Sequence, residues 1–176
     1  LKLRSARGPG IRAMARVVRT RMTASRSETS FPPGPAFAGM VLDRASTVRA
    51  DPAWVARQLQ DPATRVVASG RDGVVIDRAA LPRLLRRSVE PDLVAGASAG
   101  PILLGLEDGA AVFAADLDTL DTAARARWEH QGRLVALREA GSGLSRAEGG
   151  LAAYLVGLLN WHRAHRFCAN CGTGTV

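Results

Sequence analysis

The sequence predicts an α+β domain, a small antiparallel sheet of hairpins followed by C-terminal helices, and three observations predict it. Short runs rich in β-branched residues stand in pairs, Thr64 to Ala68 with Gly73 to Ile76 and Pro101 to Glu107 with Ala110 to Ala114. Asp108-Gly109 separates the second pair, a dipeptide that favours the positive φ angles of a two-residue hairpin. After Ser145 the apolar residues change period, with Leu151, Tyr154, Leu155, Leu158, Leu159 and His162 recurring on one face of a helix.

The 176 residues suffice for one domain with a real core. No apolar run approaches the roughly 18 residues of a membrane span. The net charge of +8 is unevenly spread. Eight of the 24 basic residues lie between Lys2 and Arg26, where Glu28 is the one nearby acid, and the other 16 nearly cancel the remaining 15 acids. Residues 1–35 are therefore read as a basic leader that cannot bury enough surface to order itself. A transit peptide and a nucleic-acid arm are the competing readings of this composition. The chain opens on Leu1, with Met14, Met22 and Met40 downstream, which also fits a start codon assigned too early.

Order is expected from near Phe37. Asp51-Pro52 is a helix start, an N-cap acid followed by proline at the first helical position, with Trp54, Val55 and Leu59 facing inward. Ser69-Gly70-Arg71-Asp72 connects the first strand pair. Leu81 to Arg87 reads as a short helix or turn, and Asp92 to Gly100 as a flexible connection of small residues. Ala115 to Asp118 leaves the sheet. Asp121 to Ala140 is charged and rich in helix formers, so one long helix is expected, with Trp128, Leu134, Val135 and Leu137 on its inner side. Ser145-Arg-Ala-Glu148 has the form of a capping box opening the last helix. Gly149, Gly150 and Gly157 each weaken that helix by up to about 1 kcal/mol relative to alanine, so it must rely on packing.

The candidate chemistry lies in Cys168-Ala-Asn-Cys171-Gly172, which holds the only two cysteines. A CxxC pair with glycine after the second thiol has the shape of a zinc knuckle: Cys168 and Cys171 supply two of the four ligands a tetrahedral site needs. A redox pair and inert thiols are the alternatives, the first disfavoured because such motifs open a helix after a strand. His162 and His165 lie close before Cys168 and are read as helix-end residues, and His130 as surface. There is no phosphate loop, and Gly96 to Gly100 lacks the strand and helix that a dinucleotide fingerprint needs.

The segment Asn160-Trp-His-Arg-Ala-His-Arg-Phe-Cys-Ala-Asn-Cys-Gly172 resembles the "WH…H.FC..CG" junction of the NAD(H) pyrophosphatases, a family of the Nudix hydrolase superfamily, where it joins an N-terminal Nudix-like domain to a zinc ribbon. Leu42-Asp43-Arg44, Leu104-Gly105-Leu106 with Val112-Phe113-Ala114, and Leu137-Arg138 resemble further motifs of that family. The resemblance implies a Nudix-like domain over 36–165 and a truncated ribbon over 166–176, with Zn²⁺ at Cys168 and Cys171 as half of its site. For the parent enzyme it implies cleavage of NADH or NAD to nicotinamide mononucleotide and AMP, and in some members removal of NAD caps from RNA. It also implies a cytoplasmic homodimer and catalytic Mg²⁺ or Mn²⁺ held by the glutamates of a Nudix box, G-x5-E-x7-R-E-U-x-E-E-x-G-U. Registered on Arg138-Glu139-Ala140, that box puts Ser142 and Gly143 in place of the metal-binding glutamates and His130 in place of the upstream one. This chain is thus expected to be the N-terminal scaffold fragment of such an enzyme, inactive by itself, with no catalytic residue of its own. A stand-alone interaction module, its CxxC sharing a zinc with another chain, is the alternative.

Overall fold

The computed structural model describes residues 35, 37–91 and 100–174. The basic leader and the Asp92–Gly100 connection therefore lie outside the described residues, apart from Pro35 and Gly100. Helix α1 (Pro52–Gln60) starts as expected, Asp51 accepting a hydrogen bond from Ala53 N at 2.9 Å. Strands β1 (Arg65–Gly70) and β2 (Gly73–Ile76) follow, then β3 (Ile102–Glu107) and β4 (Ala110–Asp116). Asp108 and Gly109 take φ angles of 50° and 86°, the primed turn their sequence favours.

A 3₁₀ turn (Leu117–Thr119) leads to α2 (Thr122–Gln131), β5 (Arg133–Val135), the four-residue α3 (Leu137–Ala140) and the long α4 (Arg146–Ala164). The sheet order is β3-β4-β1-β2-β5. All neighbours are antiparallel except the central pair, where β1 runs parallel to β4 with Val66 opposite Phe113.

Alternation along the strands divides the core in two. Val67, Val74, Ile76 and Val112 face α4, meeting Leu151, Ala152, Leu155 and Leu159. Val66, Ala68, Val75 and Phe113 face the other way, with Leu117 of the 3₁₀ turn, Trp128 of α2 and the half-buried Trp54, Val55 and Leu59 of α1. Both faces of the sheet are thus covered by helices, which accounts for the strands being buried along nearly their whole length.

Two expectations are corrected. Asp121 to Ala140 is not one helix: Gly132 ends α2, and Leu134 and Val135 belong to β5, paired with Val75 and Val74. A Cβ on Gly132 would lie 2.5 Å from Val75 Cγ1 and 2.8 Å from Ile76 O, so the backbone presses against β2 here and the chain turns into the sheet. Leu81 to Arg87 is not helical either. Leu85 N donates to Val75 O (2.8 Å), and Arg87 and Val66 exchange backbone bonds of 2.9 and 2.7 Å. The segment fills the wedge where β1 and β2 part, beyond their paired residues Ser69–Val74 and Gly70–Gly73.

The Leu42-Asp43-Arg44 motif forms part of a strap over Phe37–Asp43. Asp43 pairs with Leu106 on the outer edge of β3. Upstream, the strap crosses the start of α4 so closely that a Cβ on Gly150 would lie 2.4 Å from Met40 N, and one on Gly39 2.6 Å from Arg146 O. Gly150, buried and a liability by helix propensity, is what allows the contact.

Candidate functional site

The last buried side chain of α4 is Leu159. Beyond it the helix is held by polar contacts. Arg163 donates through Nε to Asp116 Oδ2 (2.8 Å) and through Nη2 to Asp116 Oδ1 (2.5 Å), while Nη2 also lies 3.3 Å from Asp118 Oδ2. Its Nη1 donates to Asn160 Oδ1 at 2.9 Å. The hydrogen bonds to Asp116 raise the Arg163 pKa above its ordinary value against the opposing effect of burial. Asp118 accepts from Arg71 N (2.9 Å) and Arg125 Nη1 (3.1 Å), so the β1–β2 hairpin, the end of β4, α2 and α4 meet in one network. A groove of about 440 Å³ beside it, lined by Arg71, Leu117, Asp118, Leu120, Thr122 and Arg125, is part of this ion-paired region.

The helix closes on His165, whose backbone N donates to Trp161 O at 2.8 Å. The His165 ring stacks on Trp161 with centroids 5.1 Å apart, and Nδ1 lies 3.0 Å from the same carbonyl. His162 meets Trp161 edge-on at 5.0 Å. Both histidines are thus helix-end residues around an exposed tryptophan, as expected, and His130 is exposed on α2.

Three residues further on, Cys168 to Gly174 folds back on itself. Cys168 N donates to Thr173 O (2.7 Å), Gly172 N donates to Cys168 O (2.9 Å), and Phe167 bridges Gly174. Gly172 takes φ 70°, the turn conformation expected from its place after the second thiol. Cys168 is half-buried, Cys171 is exposed, and both are free thiols. Cys171 Sγ lies 3.4 Å from Thr173 Oγ1. That contact first, then the Thr173 backbone and the neighbouring Cys168, holds the Cys171 thiol below its ordinary pKa. A thiol that deprotonates readily is the form a metal takes. Two thiols on a closed turn are of the kind that would fill two positions of a zinc site.

The catalytic metals do not fit these residues. Arg138, Glu139 and Ala140 form most of the four-residue α3, and Ser142 Oγ donates to Glu139 O in the turn that follows. Among the described residues no group of three or more His, Cys, Asp or Glu is placed to hold a metal ion.

A second cluster sits at the opposite end of α4. Ser145 accepts from Glu148 N at 3.2 Å, the expected half of the capping box. The Glu148 carboxylate serves other partners: Oε2 accepts from Leu84 N (2.7 Å) and Oε1 from Arg86 Nη2 (2.7 Å). Arg86 also grips Glu107 through Nε and Nη2, at 2.9 and 2.8 Å. Burial opposes the Arg86 charge, yet the hydrogen bonds to Glu107 and Glu148 outweigh it and raise its pKa. Sequence reasoning found neither arginine cluster, because the partners are 21 to 62 positions apart. The one available signal was Arg163 standing inside the junction motif.

The chain matches the family described as NADH pyrophosphatase-like rudimentary NUDIX domain over residues 62–161, more than half its length. It belongs to that family. No curated protein matches it. The matched region runs from the turn before β1 to the last turns of α4 and ends just short of the knuckle. Among the described residues no helix is long and apolar enough to cross a membrane.

Proposed function

We propose that this domain is the non-catalytic scaffold of a cytoplasmic enzyme that hydrolyses the pyrophosphate of NAD(H). It orients a zinc ribbon beginning at Cys168 and Cys171, and through it a catalytic Nudix domain. The observation that carries this reading is the junction, where a family domain matched as far as Trp161 is followed at Cys168 by a closed two-thiol turn. Cys168 and Cys171 would hold the zinc with two ligands from outside the described residues. The metal would supply a structural cross-link there, fixing the ribbon to the end of α4. The Mg²⁺ or Mn²⁺ that activates water for pyrophosphate cleavage belongs to glutamates this chain does not carry. Homodimerisation and action on NAD-capped RNA would be properties of the whole enzyme.

The direct test is to incubate the 176-residue chain with NADH and Mn²⁺ and follow AMP by chromatography. No turnover above the metal-ion background is expected, and steady release of AMP would overturn the scaffold assignment. The exposure of Cys171 favours a second reading, in which two chains share one zinc as an interaction module. Zinc content measured with mass in solution separates the two. One zinc per dimer, lost with Cys168→Ser, is the module's signature, and a zinc-free monomer with reactive thiols supports the scaffold.

A further inference from the structure

The two sides of the sheet and the first two-thirds of α4 are held by apolar packing, but the end that carries the knuckle is not. After Leu159 the side chains of Asn160, Trp161, Ala164 and His165 are exposed, with Trp161 at 47%. Within that last turn and a half, Arg163 reaches back to the sheet, its side chain 17% exposed against 12% for Asp116. A two-pronged arginine–carboxylate pair fixes direction as well as distance, because both N–H groups and both oxygens must stay in register. A partly buried pair of this kind adds little net stability, since desolvation offsets much of the attraction. Its contribution here is therefore geometric.

We propose that Arg163, clamped to Asp116, is the positioning residue that sets the direction in which the Cys168–Cys171 knuckle leaves the domain. Asp116 is well suited to hold it. The aspartate ends β4 beside the parallel β1, and its own Oδ1 accepts from Asp118 N at 3.0 Å, so the acceptor is fixed before the arginine arrives. From Arg163 the stiffness passes along the chain. His165 caps the helix on Trp161 O and stacks on its ring, and only Arg166 and Phe167 separate this cap from the first thiol. Without the clamp the helix keeps its apolar anchor as far as Leu159, and the segment beyond swings on one helical turn. The clamp matters for the scaffold role just proposed, but its existence does not depend on zinc.

The test is a distance measurement that needs no metal. A chain with Cys168→Ser and Ala56→Cys carries two exposed thiols, Cys171 on the knuckle and one on α1, for paired nitroxide labels. Double electron–electron resonance should give a narrow distance distribution. Adding Arg163→Gln should abolish the narrow peak and leave a broad one, with the helical circular dichroism retained and the melting temperature lowered, because Asp116 is left part-buried without its partner. Arg163→Lys keeps the charge but not the two-pronged geometry, and should give an intermediate width. A broad distribution with Arg163 intact overturns the proposal. So does a narrow peak that survives Arg163→Gln, or one that survives Arg163→Lys if the glutamine chain fails to fold. Failure of zinc binding, measured separately, would count against the ribbon reading alone.

Discussion

The two ends of α4 are held by the same kind of grip in opposite senses. At its start the helix supplies the acid, Glu148, and Arg86 comes to it from the wedge segment. At its end the helix supplies the base, Arg163, and Asp116 waits on the sheet. Each charge is of the sign that the nearby helix terminus favours. The difference lies in what else is present. The start is also secured by the Ser145 cap, the strap over Gly150 and the hydrogen bond from Leu84 N to Glu148. At the far end, among the described residues, Arg163 reaches Asp116 and Asp118. One end of the helix is thus tied into the fold from several sides, whereas release of the other is expected to leave the domain folded.

This contrast can be broken from the start of the helix, where the effects are largest. Glu148→Ala leaves the Leu84 amide without its acceptor and takes from Arg86 one of its two carboxylates in a part-buried site, and should cost about 3 kcal/mol in urea unfolding. A loss below about 1 kcal/mol would show that the wedge segment is held by other means. Gly150→Ala puts a methyl group against the strap backbone, and about 2 kcal/mol of destabilisation is expected from overpacking. If alanine instead stabilises the chain, as helix propensity alone would have it, the close approach to Met40 is not rigid. Ser145→Ala removes a helix cap and should lower stability by about 1 kcal/mol.

At the far end the smallest effect is one of reactivity. The Cys171 thiol lies below its ordinary pKa, so the thiolate persists to lower pH, and its alkylation by iodoacetamide in a Cys168→Ser background should hold its rate below the pH at which a free cysteine slows. The Thr173 contact leads the causes, so Thr173→Val should move the profile back towards that of free cysteine. An unmoved profile would show that the hydroxyl has no part in it.

Local chemistry made several elements legible in advance. Asp51-Pro52, Asp108-Gly109 and Ser145 each specify their own backbone conformation, and each is where it was read. The elements that escaped are those decided by a distant partner. Nothing in Thr122 to Ala140 announces that Gly132 must pass against β2, so helix-forming residues suggested one helix where the sheet imposes two and a strand. Leu81 to Arg87 has no alternation of its own because it borrows its backbone partners from β1 and β2. The thiol pair of the candidate site was legible through its spacing. The clamp behind it was not, because Arg163 and Asp116 are 47 positions apart and a single distant ion pair leaves no periodic trace.

The parallel central pair bears on how this family can vary. Arg65 and Val112 meet in register across 47 positions of chain, and the stretch between them is joined to the sheet through two hairpins and the wedge. Loop-closure entropy rises only with the logarithm of length, so doubling that span would cost about 0.6 kcal/mol. Insertions beside Gly100 should therefore leave the stability of the domain nearly intact, with both ends of α4 staying where they are.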